Sequence, residues 1–184
     1  MNKMVSFILA ASLIMGVSSA CGQKQTVSDQ SPNGSTASYQ KNESYEEALK
    51  ECFNASFSTN GGQIFYAYMY PDEYINDMKD KGDYNDIVNS FNQKQSERPD
   101  LTDGVFEFGS ITESKPINDK QRDAVKAYFA DKCADREIGI TEDDINIGDG
   151  YEVSYTYLKN GKEEGKDLVL AVEINDQGWK VIPS

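Results

Sequence analysis

The sequence predicts an α+β domain: N-terminal helices packed on a curved antiparallel sheet of about four strands. Three observations lead there. Apolar side chains recur at helical spacing between residues 44 and 95. After residue 105 they mostly alternate, the two-residue period of a strand. The strand-like segments are short, bounded by turn residues and interrupted by one further helical stretch, which favours antiparallel pairing.

The first helix runs from Ser44 to about Thr59. Ser44 followed by Glu47 has the spacing of a capping box. Tyr45, Ala48, Leu49, Cys52, Phe53 and Phe57 make its apolar face, and Asn60-Gly61-Gly62 ends it. Gln63 to about Lys81 is a second helical stretch in two pieces. One reaches Tyr70; the other starts at Pro71, with Asp72 and Glu73 at its positive end. Asp83 to about Gln95 is a third helix whose stripe is Tyr84, Ile87, Val88 and Phe91. Pro99 and Asp103-Gly104 mark a loop.

Val105 to Thr112 reads as the first strand, with Phe106, Phe108 and Ser110 on the face opposite Glu107, Gly109 and Ile111. Asn118 to about Ala134 is helical, carrying Val125, Tyr128, Phe129 and Cys133 on one face. Ile138 to Ile147 is expected to be partly extended around an acidic turn. Tyr151 to Lys159 alternates cleanly, Glu163-Glu164-Gly165 is expected as a hairpin tip, and Asp167 to Asn175 forms the next strand. Asp176-Gln177-Gly178 then turns the chain into a last strand, Trp179 to Ile182.

The first 43 residues have a different character. Lys3 precedes an apolar run from Val5 to Val17, too short to span a bilayer, and Ser18-Ser19-Ala20 supplies small residues before Cys21. Residues 1–20 therefore read as an export leader. Gly22 to Glu43 is almost devoid of apolar residues and is expected to be a disordered tether spanning roughly 25 Å as a flexible coil. Residues 44–184 form the single folded domain.

The string Val17-Ser18-Ser19-Ala20-Cys21-Gly22 resembles the lipobox of bacterial lipoproteins. It departs from that pattern in placing Ser18, not leucine, three positions before the cysteine. The resemblance implies lipidation (palmitate) at Cys21 and attachment to the extracytoplasmic face of the cell membrane. Ordinary leader cleavage after Ala20 is the alternative that Ser18-Ser19-Ala20 also permits. The order of elements, with the closing strand Asn175-Asp176-Gln177-Gly178-Trp179-Lys180-Val181, resembles cystatin-like or nuclear-transport-factor-2-like domains of small lipoproteins from low-GC Gram-positive bacteria. That resemblance implies a sheet curved into a cone and no one activity.

Composition narrows the chemistry. The formal charge is −13, and loss of Lys3 with the leader makes it −14. Such a chain is not built to neutralise phosphates, so nucleic acid is not an expected partner. Nor is an anionic lipid surface, beyond the lipid itself. The absence of histidine removes Ser-His-Asp and Cys-His catalysis and His-ligated zinc. No catalytic residue, metal ligand or cofactor is assigned.

Some residues admit both a structural and a functional reading. Cys52 and Cys133 are either a disulfide closing a loop of about 80 residues or two separate core thiols. Tyr66, Tyr70 and Tyr74, at four-residue spacing, and Tyr155 and Tyr157, on a strand, either line a pocket or edge the core. Glu142-Asp143-Asp144, Asn146 and Asp149 lack the spacing of a calcium loop and read as a solvated turn. A pocket enzyme would need a tyrosine and a buried carboxylate together, for which Asp72, Asp77 and Glu107 are conceivable. The expected role is a tethered envelope binding module, with an envelope protein or a small ligand as partner. A histidine-free isomerase-like or dehydratase-like enzyme is the more remote alternative.

Overall fold

The computed structural model describes Asn42 and residues 44–184. Five helices come first: α1 (Tyr45–Ser56), α2 (Gly62–Met69), α3 (Asp72–Asp80), α4 (Tyr84–Ser96) and the short α5 (Pro99–Thr102). Then follow β1 (Phe106–Pro116), α6 (Asp119–Ala134), β2 (Ile147–Lys159), β3 (Lys162–Ile174) and β4 (Trp179–Pro183). The sheet is antiparallel throughout, in the order β1-β2-β3-β4. The α+β class follows directly, with helices leading into a curved four-stranded sheet.

Local chemistry sets the helix boundaries. The Ser44 hydroxyl accepts the Glu47 N–H at 3.3 Å and starts α1. Pro71 precedes α3 and separates it from α2, because its ring cannot continue the helix hydrogen bonding. Asn118 and Gln121 form a full reciprocal capping box on α6, each side chain bonding the other's backbone N–H at 3.0 Å.

The sheet is covered on both faces. On one, Val153, Tyr155, Tyr157, Val169, Ala171 and Val181 meet Leu49, Cys52 and Phe53 of α1 and Phe65 and Met69 of α2. On the other, Leu170, Val172, Ile174 and Ile182 pack with Val125 and Phe129 of α6 and with Ile145. The run from Val169 to Val172 is buried on both sides, which explains why it does not alternate. Each fully buried Leu, Val or Phe contributes about 1.5–3 kcal/mol through the area it withdraws from water.

Four expectations are corrected. The acidic turn expected between Ile138 and Ile147 is present as a 3₁₀ turn at Glu142–Asp144, but residues 138–146 on its flanks form no strand, and Ile145 is driven into the second core. Asp149, expected in the acidic turn, belongs to β2. The β2–β3 hairpin tip is Asn160-Gly161, both at positive φ (53° and 75°), and not Glu163-Glu164-Gly165. Asn-Gly suits such a two-residue turn because both residues tolerate left-handed backbone. Finally, β1 shifts register between Phe108 and Ile111, so Ile111, like Phe108, joins the face packed by α1. The first slip inverts the phase at Ile111, and a second between Ile111 and Glu113 returns Ser114, paired with Val153, to the phase of Phe108.

The β3–β4 turn pins the helical layer. Gln177 accepts the Asp72 N–H at 2.9 Å, serving the open N-terminus of α3, and donates to both Glu73 carboxylate oxygens at 2.9 Å. Lys180 is fully buried, its Nζ 3.0 Å from the Ala67 carbonyl and 3.2 Å from Asp72 Oδ1. The closing strand that carried the family resemblance thus clamps the α2–α3 junction.

Candidate functional site

The five tyrosines separate into two groups and do not line one space. Tyr66, Tyr70 and Tyr74 form a ladder, with ring centroids 5.8 Å and then 4.3 Å apart and planes within 19° and 12°. The ladder continues across the break at Pro71. Phe91 of α4 closes its Tyr66 end edge-on at 5.8 Å, and the Arg136 guanidinium covers Tyr74 at 5.4 Å. Burial, followed by the charges of neighbouring phenols, pushes the Tyr70 hydroxyl well above the ordinary phenol range, with Tyr128 of α6 the foremost of those neighbours. This group serves the packing between α2, α3 and α6.

Tyr155 and Tyr157 lie on β2 and face α1. Tyr155 stacks on Phe108 of β1 at 5.2 Å and meets Phe53 of α1 edge-on at 5.9 Å. Tyr157 extends its phenol across Gly165 on β3, where the position a Cβ would take lies 2.5 Å from the hydroxyl. Only glycine at 165 leaves that path open.

A carboxylate completes this group. Asp167 stands directly across from Tyr155 in the sheet. Its Oδ2 accepts the Tyr155 hydroxyl at 3.5 Å, and its Oδ1 accepts the Leu168 N–H at 2.8 Å. The side chain is half-buried, and burial raises its pKa above the usual carboxylate range. Burial, then the nearby Asp167 charge, likewise raises the Tyr155 hydroxyl. Among the described residues, no lysine or arginine forms an ion pair with Asp167.

The carboxylates named from the sequence lie elsewhere. Asp72 is paired with Lys180, and Asp77 with Arg136 and Lys81. Glu107 is exposed on β1. The sequence reading missed Asp167 because the strand register was hidden. From the Asn160-Gly161 turn, Lys159 pairs with Lys162 and Leu158 with Glu163. An unshifted ladder would then set Tyr155 against Lys166. The register slips by one at Glu164, so Tyr157 meets Gly165 and Tyr155 meets Asp167. A bulge therefore exchanges a lysine for a carboxylate against the tyrosine.

Of the two readings of Cys52 and Cys133, the structure has the separate one: both are buried free thiols. They occupy different neighbourhoods: Cys52 packs among the α1 core residues near Tyr155, while Cys133 lies near Glu73 and Asp77 of α3. Burial raises the Cys52 thiol to about 12. Burial, with the charges of Glu73 and Asp77, raises Cys133 to about 11. Neither forms the thiolate that redox or nucleophilic chemistry needs near neutrality.

The acidic turn is closed on itself, since Asp144 Oδ2 accepts from both the Thr141 N–H at 2.9 Å and the Thr141 hydroxyl at 2.7 Å. Among the described residues, no three His, Cys, Asp or Glu side chains gather where they could hold a metal ion. No described helix is long and apolar enough to cross a membrane. Cys21, the leader and most of the tether lie outside the described residues. At the tether's end, Asn42 Nδ2 donates to the Tyr68 hydroxyl at 2.6 Å, which in turn donates to Glu51 Oε2 at 2.7 Å. No family model, curated protein or solved structure matches the chain.

Proposed function

We propose that this chain is a lipid-anchored binding module on the extracytoplasmic face of a bacterial membrane. The observation that carries the reading is Val17-Ser18-Ser19-Ala20-Cys21-Gly22, placed between a short apolar run and a polar tether. A single acyl chain holds a protein only marginally, whereas the two or more that such a cysteine acquires give stable attachment. The acidic domain would be repelled by an anionic bilayer, so the lipid and not the domain surface supplies the anchor.

A small-ligand version of the binding role is favoured by one specific feature, the half-buried Asp167 beside Tyr155. The same pair of groups is what a pocket enzyme would need, but a carboxylate and a phenol alone assign no reaction.

The test is membrane partition of the full chain expressed in a Gram-positive host fed an alkyne fatty acid. The expected result is label in the membrane fraction and none on a Cys21→Ser variant. Unlabelled protein released to the medium would instead favour ordinary cleavage after Ala20.

A further inference from the structure

The β2–β3 hairpin carries a feature that packing alone does not require. A one-residue register slip at Glu164 turns Asp167, in place of Lys166, toward the face occupied by Tyr155 and Tyr157. The side chain is half-buried there and has no cationic partner among the described residues. Asp77 and Asp83 are treated otherwise: Asp77 is paired with Arg136 at 2.6 Å and Asp83 with the same side chain at 2.8 Å. Bulges commonly serve to re-aim one side chain next to a site of function.

We infer that Asp167, with Tyr155 and Tyr157 beside it, binds an organic cation carrying an alkylammonium or guanidinium group. This deepens the binding-module reading by naming what is bound, and it rests on that reading. The Tyr155 ring, whose hydroxyl Asp167 accepts, packs on Phe108 at 5.2 Å and against Phe53 at 5.9 Å. A charge pair beside such an aromatic cluster is less screened than one in open water. An ammonium has three N–H donors and a guanidinium five. Asp167 Oδ2 can accept one of them, and the Tyr155 hydroxyl oxygen, 3.5 Å away, a second. A single carboxylate does not supply the six to eight oxygens that calcium takes. The surrounding charge favours cations, with Glu164 adding to the negative potential at Tyr157. Holding an ionised carboxylate where burial opposes its charge is a destabilising choice, as is common where a residue serves binding.

The cation has two conceivable sources: a free small amine, or a lysine or arginine side chain of a partner protein. The experiment uses the full chain with its aspartates ¹³C-labelled at the carboxyl carbon. It is titrated with propylammonium chloride, with methylguanidinium chloride, and with an acetylated Gly/Ser peptide carrying one central lysine. Sodium chloride at equal ionic strength serves as the blank. The expected result is a saturable shift of the Asp167 carboxyl signal by at least one probe. Read for wild type and every variant by the saturable change in the probe's own proton signals, binding should weaken about tenfold or more in Asp167→Asn and by a smaller factor in Tyr155→Phe, while Asp144→Asn, in the closed turn, behaves as wild type. Tighter binding of the peptide than of propylammonium assigns the cation to a protein partner; equal binding assigns it to a small amine. No saturable shift with any probe, in protein whose circular dichroism is native, overturns the cation site. So does equal binding by Asp167→Asn. Fatty-acid labelling at Cys21 is a separate readout, so a failed cation site and a failed anchor are told apart.

Discussion

Arg136, just beyond the end of α6, donates its Nε–H to Asp77 of α3 at 2.6 Å. Its Nη2 donates to Asp83 at 2.8 Å, and the guanidinium plane lies over Tyr74. One planar fork thus ties the helix on one face of the sheet to the helices on the other. Replacing Arg136 with methionine should lower the unfolding free energy by about 1–2 kcal/mol, since charge-assisted hydrogen bonds are lost and Asp83 is left without its partner. Lysine should not restore the loss, because a point charge cannot serve both carboxylates and the ring. Urea midpoints of the two variants check this; a wild-type midpoint for Arg136→Lys would contradict it.

Acid should act on Asp77 and Asp167 in opposite directions. The Arg136 hydrogen bond holds Asp77 below its ordinary pKa. Its stabilisation is therefore present above the unfolded value of about 3.9 and is lost as pH falls through the lowered folded value. Burial raises Asp167, so the folded state favours its protonated form. That contribution is present below about pH 3.9 and is lost as pH rises through the raised folded value. Asp167→Asn should consequently raise Tm at neutral pH and leave it nearly unchanged at about pH 3. A lower Tm for Asp167→Asn at neutral pH would show that the carboxylate is paired after all.

How much was legible in the sequence follows from which signals were local. The Ser44 cap of α1, the break at Pro71 and the alternation in Tyr151–Lys159 depend on neighbours within a few residues, and each stands where the sequence puts it. Between Ile138 and Ile147 the acidic turn is where it is expected, held by Thr141 and Asp144, but its flanks are not paired: Ile145 goes into the second core, and the strand starts only at Ile147. Asn160-Gly161 was a readable hairpin signal that was passed over for the acidic residues beyond it. The slip at Glu164 has no such signal. It decides whether Lys166 or Asp167 faces Tyr155, and so the candidate site could not be assembled from spacing alone.

The two described thiols should be inert in the folded protein. With Cys52 raised to about 12 and Cys133 to about 11, neither is ionised at pH 8. Ellman's reagent should modify them only after denaturation, and the intact mass should show no disulfide between them. Rapid modification of either thiol in native buffer would mean that the surrounding helix is open.

Alkali should unfold the domain early. Burial first, then neighbouring phenols and carboxylates, raises Tyr66, Tyr70, Tyr128, Tyr155 and Tyr157. The folded state keeps protons that the unfolded chain releases near about pH 10, so stability falls as pH rises from there through the raised values. Absorbance at the phenolate band should show part of the tyrosines ionising together with loss of circular dichroism. Smooth ionisation of all eleven tyrosines with the fold intact would count against the buried placement.

The most direct test of the central claim is the mass of the N-terminal tryptic peptide from membrane-derived protein. Lipid anchoring predicts Cys21–Lys24 carrying a diacylglyceryl group, with or without a third acyl chain. An unmodified Cys21–Lys24 peptide, or a leader still joined to Cys21, would contradict it.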